Sequence, residues 1–509
     1  MTIAPHQRAA NVLRLRRLGI DTYQEPILFM SAECPVCRSE GWEALARVRV
    51  AHGEHAIVAT LNVVTSDLLA PDEAGLSDAA WMALGASEGD EVVLSHPEPV
   101  TSLGHVRAKV YGQRLDGPAF AAIVRDIAAG RYSSIHLSAF VTACAGGRLD
   151  LQETIALTQA MVEVGERLQW PPGRVVDKHS VGGLPGNRTT MIVVPIVAAY
   201  GLTIPKTSSR AITSPAGTAD AMETVAPVAL DVPAMRRVVE REGGCIIWGG
   251  AVRLSPADDI IIRVERPLDI DSEGQLVASV LSKKAAAGST HVVIDLPVGP
   301  TAKVRTLAAA KALGGLLVAT GAALGLRLDV VEGDGTQPIG RGIGPALEAR
   351  DVLAVLQRHT DAPSDLGERA LVLAGRVIEL GGDLAPGTGY GIARQLLESG
   401  AAWRKFQAIC DAQGGMREPP LARYAHEVVA DSAGLVTSID NRRLARVAKL
   451  SGAPKARAAG LTLHVRLGTR VRLGEPLYTL QAESPGELAY ARAYSEQNRN
   501  IISISETSP

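Results

Sequence analysis

The segment that most constrains this chain is Val176–Thr224, in which two polar loops flank one apolar run. The apolar run, Met191–Tyr200, has the length and composition of a buried helix. Gly173–Asp177, just before the first polar loop, is typical of a short buried strand. Strand, loop and helix in this order predict an α/β domain, in which ligands bind at the carboxyl ends of the strands.

Both polar loops carry groups that bind anions. The first offers the Lys178 cation, hydroxyls, and glycines whose backbone N–H groups an anion can reach. Its hydroxyl and glycine residues are Ser180, Thr189, Thr190, Gly182, Gly183 and Gly186. The second loop, Thr207–Thr218, adds further Ser and Thr hydroxyls and the Arg210 cation. The two loops together predict a site for a phosphate or a sugar phosphate.

Charge and composition exclude several classes of partner. The net charge of the 509 residues is −2 and aromatic residues make up 4%, so the chain has neither a basic field nor stacking side chains for nucleic acid. We also find no secretory leader and no uninterrupted apolar run of about 18 residues. We therefore expect a cytoplasmic protein with no nucleic-acid partner and no membrane partner.

The five cysteines are an odd and dispersed set, which favours reduced thiols over a disulfide framework. Cys34 and Cys37 form one close pair, with His52 and His55 downstream. A structural zinc site needs four ligands, and no second close cysteine pair is present. We predict no metal site.

Periodicity divides the chain into four predicted domains, consistent with about 100 to 200 residues per domain. They are a small β-rich N-terminal domain (1–97), an all-α domain (102–168 and 253–288), an α/β phosphate-binding domain (172–252 and 289–423) and a C-terminal α+β barrel-sandwich-like domain (424–509). The fold class is thus multidomain α/β.

Within the first domain, strands are predicted at Ala46–Val50, His55–Val64 and Glu91–Leu94. A short helix, Leu76–Leu84, should begin at Ser77.

The first segment of the all-α domain, 102–168, is predicted to contain three helices. They are Pro118–Gly130, Ser133–Ala145 and Asp150–Arg167, the last with an acidic cap. Later strands are predicted at Cys245–Trp248, His291–Leu296 and Leu326–Val331, and later helices at Pro256–Ile262 and Leu276–Ala287.

The last domain is predicted to contain short strands and a hairpin at Gly468–Pro476. This pattern resembles the carriers of biotin and lipoyl groups. A carrier needs a modifiable lysine in an exposed turn, and that turn has none. We therefore do not expect a carrier domain.

Five segments, in order along the chain, resemble motifs of the thymidine phosphorylase family. They are Asp177–Gly183, Ser208–Thr218, Ala278–Lys284, Gln337–Glu348 and Ser399–Gly415. The resemblance extends from about Ser102 to the C-terminus. It implies the nucleoside phosphorylase type 2 fold, with an all-α unit beside a large α/β domain, and a homo-oligomer of at least two chains. It also implies phosphorolysis of a nucleoside N-glycosidic bond, with inorganic phosphate as co-substrate and no cofactor.

Within the family the chain is most similar to a longer branch that includes AMP phosphorylases. The N-terminal β domain, the Leu184–Arg188 insertion and the Arg210–Pro215 loop carry this similarity. Two substrates are therefore expected as alternatives. Thymidine would give thymine and 2-deoxyribose 1-phosphate, whereas a nucleoside 5'-monophosphate would give a base and ribose 1,5-bisphosphate.

The resemblance implies roles for particular residues. Asp271 matches the proton donor of the longer branch, and His179 matches a histidine near the base. The residues that match phosphate-binding positions are Lys178, Ser180, Thr190 and Thr218. The residues that match nucleoside-binding or nucleotide-binding positions are Gly183, Ser209, Arg210, Ala211, Ile212, Thr213, Ser214, Thr218, Ser279, Lys283 and Lys303. A turn is the alternative reading of Asp271, whose neighbours Leu268–Gly274 suit one.

One position departs from the family pattern. Shorter thymidine phosphorylases hold the pyrimidine with an arginine, a serine and a lysine, and Ser279 and Lys283 match the last two. Val264 falls where the arginine is expected, with Arg263 one residue away. Which of the two faces the base stays open.

Two further classes were weighed against a phosphorylase. A Rossmann dehydrogenase would need a G-x-G-x-x-G motif after a strand, followed by an acidic residue about 20 positions on, and the sequence has none. A non-catalytic nucleotide sensor differs from an enzyme only in lacking turnover.

Overall fold

The structure is a computed structural model that describes residues 11–211, 214–268, 270 and 272–505. The chain divides into two compact units, one containing residues up to 115 together with 122–143, and the other containing 116–121 and 144 onwards. This division runs through the predicted all-α domain. The domain boundaries given above stay predictions.

The smaller unit begins with a closed six-stranded barrel. Its strands are β1 (Val12–Arg17), β2 (Ile27–Ser31), β3 (Arg47–His52), β4 (His55–Val64), β5 (Glu73–Leu76) and β6 (Glu91–Ser95), arranged in the order β1-β5-β2-β4-β3-β6. Helices α1 (Pro35–Ser39) and α2 (Asp78–Leu84) pack on its core. The Ser77 side chain accepts a hydrogen bond from Ala80 N, as the predicted cap requires. The predicted strands and helix of this region are confirmed.

Three helices follow the barrel: α3 (Leu103–Val110), α4 (Gly117–Ala128) and α5 (Ser134–Cys144). A buried polar cluster joins their ends in the smaller unit. Asp126 accepts hydrogen bonds from Ser102 Oγ (2.6 Å) and from Arg131 (3.0 Å). The predicted helices Pro118–Gly130 and Ser133–Ala145 are confirmed.

The larger unit contains the segments that the anion-binding loops connect. Its first half holds α6 (Leu151–Glu163), β7 (Val176–Ser180), α7 (Thr190–Tyr200), β8 (Ile204–Ser208), α8 (Thr218–Glu223), α9 (Val232–Glu242) and β9 (Gly244–Trp248). After a 3₁₀ turn at Gly249–Val252 come α10 (Pro256–Leu268), α11 (Glu273–Ala286), β10 (His291–Val298), α12 (Leu307–Ala323), β11 (Arg327–Asp334) and β12 (Gly342–Ile343). Helix α6 begins with a complete capping box between Asp150 and Glu153.

Strands β7, β8, β9, β10 and β11 of this half form parallel pairs. The order β11-β10-β7 forms one sheet and β8-β9 another, and a bridge between Val175 and Thr203 joins β7 to β8. Helix α7 lies in the middle of the core, with Met191–Val197 fully buried. Because parallel strands end at one edge, the loops 181–189, 209–217 and 299–306 all leave the same edge of the sheet.

The structure differs from the sequence prediction at strands β7 and β8. Strand β7 continues to Ser180, so Lys178, His179 and Ser180 lie on the strand rather than in the loop after it. Strand β8 has no counterpart in the prediction, because Pro205 and Lys206 interrupt its apolar pattern. All five of its residues are nevertheless buried.

The second half of the larger unit begins with four helices, α13 (Pro345–Leu356), α14 (Ser364–Gly382), α15 (Thr388–Glu398) and α16 (Ala401–Ala412). The C-terminal region, residues 424–505, then contains β13 (Tyr424–Val429), β14 (Gly434–Ile439), α17 (Asn441–Leu450), β15 (Gly460–Leu463), β16 (Arg470–Val471), β17 (Pro476–Ala482), α18 (Pro485–Gln497), a 3₁₀ turn (Arg499–Ile501) and β18 (Ile502–Ser505). Its strands form the sheet β16-β14-β18 and, together with β12 from the first half, the sheet β12-β15-β17-β13.

The predicted hairpin at Gly468–Pro476 is wrong. Strand β16 pairs with β14, whereas β17 pairs with β13 and β15 in the other sheet. A turn from Arg472 to Glu475 carries the chain between the two sheets. It is closed by the bond from Glu475 N to Arg472 O (3.1 Å).

All five cysteines are buried free thiols. Across the described ranges, no three or more His, Cys, Asp or Glu side chains are grouped as a metal ion would require. None of the helices in those ranges combines the length and the apolar character that a membrane crossing needs.

Candidate active site

Lys178 is a fully buried cation on β7, beneath the 181–189 loop. Its Nζ donates to Thr189 Oγ1 (2.8 Å) and lies 3.6 Å from Asp295 Oδ2. Burial lowers the pKa of the ammonium to about 8, and the Arg369 and Arg188 cations add to that shift while Asp295 opposes it. Lys178 is therefore charged at neutral pH and close to the limit at which it loses its proton.

The preceding residue, Asp177, accepts hydrogen bonds from two buried lysines. Lys206 Nζ on β8 lies 3.1 Å from its carboxylate, and Lys284 Nζ on α11 lies 2.6 Å from it. Burial opposes ionisation, but the two lysines outweigh it and hold the pKa of the Asp177 carboxyl below its ordinary value. For Lys284, burial lowers the pKa of the ammonium to about 7. Asp177 thus ties β7, β8 and α11 together.

His179 is neutral at physiological pH. Burial of the ring, together with the nearby Lys284, Lys206 and Lys178 cations, lowers its pKa well below 6.5. A neutral imidazole presents one donor and one acceptor nitrogen. His179 can therefore hydrogen-bond to a substrate, but it contributes no positive charge.

The first loop is held closed by Asn187. Its Nδ2 donates to Asp295 Oδ2 (2.9 Å) and to Ser180 Oγ (3.2 Å), and its Oδ1 accepts from Thr189 Oγ1 (2.9 Å). Asp295, on β10, also accepts from Arg369 (2.7 Å). Burial raises the pKa of the Asp295 carboxyl, but Lys178 and Arg369 reverse that shift and keep it below its ordinary value.

The second loop is closed by Asp220 at the start of α8. Its Oδ2 accepts from Ala211 N (2.6 Å) and Gly217 N (2.8 Å), which lie at the two ends of the loop. Arg210 makes two bonds to Glu223, of 2.7 and 3.0 Å, and its guanidinium lies 4.9 Å from the centroid of the Trp248 ring.

Arg188 connects the two loops. Its Nε donates to the buried carboxylate of Glu348, and its NH1 donates to Thr218 Oγ1 (3.0 Å). Its NH2 donates to Ala216 O (3.1 Å). Thr218, a predicted phosphate-binding residue, is thus joined to a cation from the first loop.

The predicted base-binding residues lie on α11 and face α10. Ser279 Oγ donates to Asp258 Oδ2 (3.0 Å), and Lys283 Nζ lies 2.6 Å from the same carboxylate. Arg263 is one turn after Asp259 on α10, and its charge reaches that carboxyl. Val264 is buried. On α10 it is therefore Arg263, not Val264, that shares a polar face with the contacts of Lys283.

The third loop, 299–306, packs directly on the first loop, 181–189. Gly183 has φ +81°, and a Cβ there would lie 2.6 Å from the backbone nitrogen of Lys303. This close approach accounts for glycine at position 183. It also brings Lys303 to the edge that carries Lys178 and Ser180.

Several predicted site residues are placed differently or are not described. Thr189, not Thr190, contacts the Lys178 ammonium, and Thr190 is the buried first residue of α7. Ser209 is exposed and Ser214 Oγ donates to Ala216 O (2.9 Å). Asp271, Ile212 and Thr213 lie outside the described residues, so their proposed roles stay predictions.

The structure adds residues that the sequence analysis did not select: Asn187, Arg188, Lys206, Asp258, Lys284, Asp295 and Arg369. One local signal was available. Asp177 directly follows Val175 and Val176, Lys206 directly follows Ile204 and Pro205, and a charge that is buried with its apolar neighbours requires a partner. Such a pattern indicates an ion-pair network without saying which residues pair.

Comparison with known proteins agrees with this geometry. Residues 172–403 match the family model described as "Glycosyl transferase family, a/b domain", and residues 105–165 match "Glycosyl transferase family, helical bundle domain". A protein of Polaromonas sp. (strain JS666 / ATCC BAA-500) named "Putative thymidine phosphorylase" is 64% identical over 505 residues, covering 99% of this chain and 98% of that one.

A protein of Legionella pneumophila (strain Corby) with the same name is 58% identical over 502 residues, covering 99% of this chain and 97% of its own. The chain belongs to the thymidine phosphorylase family. It is an enzyme of the pentosyltransferase class. The predicted family membership and enzyme class are confirmed.

Among solved structures, anthranilate phosphoribosyltransferase from Saccharomyces cerevisiae, in complex with PRPP and Mg, shares the fold at 15% identity. The TM-score is 0.50, and the match covers 62% of this chain and 98% of that one. This likeness shows the shared helical bundle and α/β architecture of the enzyme.

The first loop yields a stability prediction. At Gly186, φ is +74° and an added Cβ would lie 1.9 Å from Ile339 O, whereas at Gly182, φ is +92° with open space around the Cβ position. Gly186→Ala should lower the free energy of unfolding by about 2 to 4 kcal/mol, through backbone strain and overpacking. Gly182→Ala, the matched control, should cost about 1 kcal/mol. Denaturant titration followed by tryptophan fluorescence measures both, and equal losses would contradict the close contact at Gly186.

Proposed function

We propose that this enzyme is a nucleoside phosphorylase that uses inorganic phosphate to cleave an N-glycosidic bond. The observation that carries the proposal is the meeting of three loops at one edge of the parallel sheet. There Ser180 and the buried Lys178 lie on β7, Arg188 is bonded to Thr218, and Lys303 packs on Gly183. Names of relatives at 58% and 64% identity support the same reaction.

In this reaction a phosphate oxygen attacks C1' of the sugar while the bond from C1' to the base breaks. The base leaves with the electron pair and must gain a proton, and positive charge grows on the sugar ring. Bound phosphate offsets that charge in the transition state. Serine, threonine and cation donors hold the phosphate without forming a covalent bond to it.

The closed 181–189 loop keeps phosphate from reaching Lys178. The ammonium is fully buried and bonded to Thr189, so contact requires the 181–189 loop to open. We infer that phosphate replaces Thr189 as the hydrogen-bond acceptor of Lys178 when this loop moves. Ser180 and Thr218 are only partly buried and are accessible without such a movement.

The base subsite is proposed between α11 and α10. Ser279, Lys283 and Arg263 supply a hydroxyl, an ammonium and a guanidinium on facing sides of the two helices, and neutral His179 lies on the adjoining strand. This set suits the carbonyl oxygens of a pyrimidine and supports thymidine as substrate. Asp271 is proposed as the proton donor.

A nucleoside 5'-monophosphate is the second candidate substrate. The observation that favours it is the packing of Lys303 on Gly183, which brings a further cation to the site. A second cation suits a 5'-phosphate in addition to the attacking phosphate. The reaction would then yield ribose 1,5-bisphosphate.

The proposed reaction predicts base release that depends on added phosphate. A chromatographic panel of thymidine, uridine, AMP, CMP and UMP, each with and without phosphate, should show release from at least one compound. Lys178→Ala should lower kcat/KM by about 10² to 10³, the range seen when one stabilising donor is lost. Lys311→Ala, an exposed lysine on α12, should leave the rate unchanged. No base from any compound would overturn the proposal, and release from nucleotides alone would select the second substrate.

Phosphate affinity should weaken above about pH 8. A lysine carries charge below its pKa, and burial sets that of Lys178 at about 8. The KM for phosphate should therefore rise up to about tenfold per pH unit above that value. Steady-state kinetics from pH 6.5 to 9.5, in about unit steps or finer, measure this.

Unfolding at alkaline pH is an alternative cause of a loss of phosphate affinity. The lowered pKa of Lys178 predicts the opposite effect on stability, because this residue contributes more to stability as the pH rises. Its ordinary pKa is 10.5, so between about pH 8 and 10.5 the unfolded chain binds more protons at this residue, and its contribution to stability increases with pH. A melting temperature held constant over the assay range would confirm that the loss concerns binding. A flat KM for phosphate would contradict the role of Lys178.

The proposed proton donor gives a separate prediction. Asp271→Asn should lower kcat by about 10² to 10⁴, because an amide cannot deliver the proton that the leaving base needs. The KM for phosphate should remain near that of the wild type. Activity equal to the wild type would make Asp271 a turn residue.

A further inference from the structure

We call the loops 181–189, 209–217 and 299–306 the substrate loops. The C-terminal region contacts the third of them and the last residue of α8, which is bonded to Arg210 of the second. None of the predicted site residues belongs to this region. Its contacts are made by Asn441, the first residue of α17, and by Arg457, in the segment before β15. Both contacts lie within the larger unit.

Asn441 is completely buried, and all of its N–H groups donate either to the third loop or to Gly335, which follows β11. Its Nδ2 donates to Thr301 Oγ1 (3.0 Å) and to Gly335 O (3.0 Å), and its backbone N donates to Thr301 Oγ1 (3.2 Å). Its Oδ1 is buried without a hydrogen-bond partner in the described chain. The amide thus leaves its acceptor unsatisfied, at a cost, and uses its donors to hold the loop.

The third loop is a short turn that Asn441 fixes at its tip. Gly299 N bonds to Val304 O (3.0 Å) and Ala302 N bonds to Gly299 O (3.0 Å). Thr301 lies at the tip of the turn, two residues before Lys303. The turn is therefore held on one side by Asn441 and on the other by the contact of Lys303 with Gly183.

The second loop has a comparable link to the C-terminal region. Arg457 lies 3.2 Å from Glu223 Oε2, and the same carboxylate makes two bonds to Arg210. The backbone of this segment is fixed in turn, because Ala346 N donates to Arg457 O (3.0 Å). Arg210 therefore reaches the C-terminal region through one shared carboxylate.

We propose that the C-terminal region positions the substrate loops, and that Asn441, acting through the Thr301 hydroxyl, is the residue that sets the place of Lys303. The inference rests on the proposed phosphorylase function. Asn441 is a positioning residue: its bonds go to Thr301 and Gly335, and its effect passes through the turn to Lys303.

The expected effect depends on the substrate. A displaced Lys303 would weaken binding of a 5'-phosphate, which needs a cation at a fixed place, more than binding of a nucleoside without one. The effect should therefore appear in KM for nucleotides, with kcat little changed, because the attacking phosphate and C1' are bound by other residues.

Thr301 offers a matched pair of variants for the test. Thr301→Val keeps the shape of the side chain but removes the oxygen that accepts from Asn441, whereas Thr301→Ser keeps that oxygen. Thr301→Val should raise the KM for AMP, CMP or UMP about tenfold through loss of two buried hydrogen bonds, and that for thymidine or uridine at most about twofold. Thr301→Ser should behave as the wild type.

Asn441→Ala should show the same pattern as Thr301→Val. Asn498→Ala is the control in the C-terminal region, since Asn498 Nδ2 bonds only locally to Tyr494 O (2.9 Å) at the end of α18. Trypsin gives a readout independent of turnover, because Lys303 and Arg305 lie in the turn. Cleavage there should be faster in Thr301→Val and Asn441→Ala, and unchanged in Thr301→Ser and Asn498→Ala.

The outcomes separate the two proposals. A wild-type enzyme that releases no base from any compound overturns the proposed function and this inference with it. With an active wild type, equal nucleotide KM values for Thr301→Val and Thr301→Ser overturn the inference alone, and for an enzyme that cleaves only nucleosides, equal rates of cleavage by trypsin in these two variants overturn it. Raised nucleotide KM in Thr301→Val and Asn441→Ala, with faster cleavage, confirms it.

Discussion

The site depends on one buried carboxylate, Asp177. It accepts from Lys206 and Lys284, and through them it joins β7, β8 and α11. These three elements carry Lys178 and Ser180, the second loop, and the helix with Ser279 and Lys283, which are the groups proposed to bind phosphate, sugar and base. Removing one partner from such a cluster leaves a buried charge uncompensated, which costs about 3 to 5 kcal/mol. These buried ion pairs therefore fix the relative positions of the residues that are proposed to bind the substrates.

A second buried network, on the neighbouring strand β10, also pairs one carboxylate with two cations. Asp295 is shared by Lys178 and Arg369, as Asp177 is shared by two lysines, so each buried carboxylate serves two cations. The surplus of positive charge lies at the edge where the three loops leave the sheet. In a poorly hydrated site such a surplus is unfavourable until an anion arrives, which is why burial lowers the pKa of Lys178 and Lys284. The phosphate of the proposed reaction would compensate that charge, so affinity and preorganisation would have the same origin.

Much of this could be predicted from the sequence, and the failures share one cause. Local patterns predicted helix α7, the Ser77 cap and three of the six barrel strands, β3, β4 and β6, because apolar spacing and capping act over a few residues. The pairing of Asp177 with Lys284 spans 107 positions, and no local rule reports it. The same limit applies to the contact of Lys178 with Thr189, because the loop between them is shaped by Asn187 and Asp295. Strand β8 was not predicted because lysine is usually a surface residue, and the sequence alone does not show that Lys206 pairs with Asp177.

The choice of substrate has a different physical basis from the reaction. In the proposed reaction the attacking phosphate meets the buried network of Lys178 and Asp295, whereas the nucleoside would contact loops and partly buried faces of α10 and α11. Lys283 is already paired with Asp258, so a base must compete with that carboxylate for the ammonium. Arg263 on α10, whose charge reaches the carboxyl of Asp259 next to Asp258, can replace part of that pairing. A pyrimidine that accepts from both Lys283 and Arg263 can offset the loss of the ion pair, whereas a base with one acceptor at that edge cannot. Specificity for the base should therefore depend on the α10–α11 contact, and recognition of a 5'-phosphate on the turn that holds Lys303.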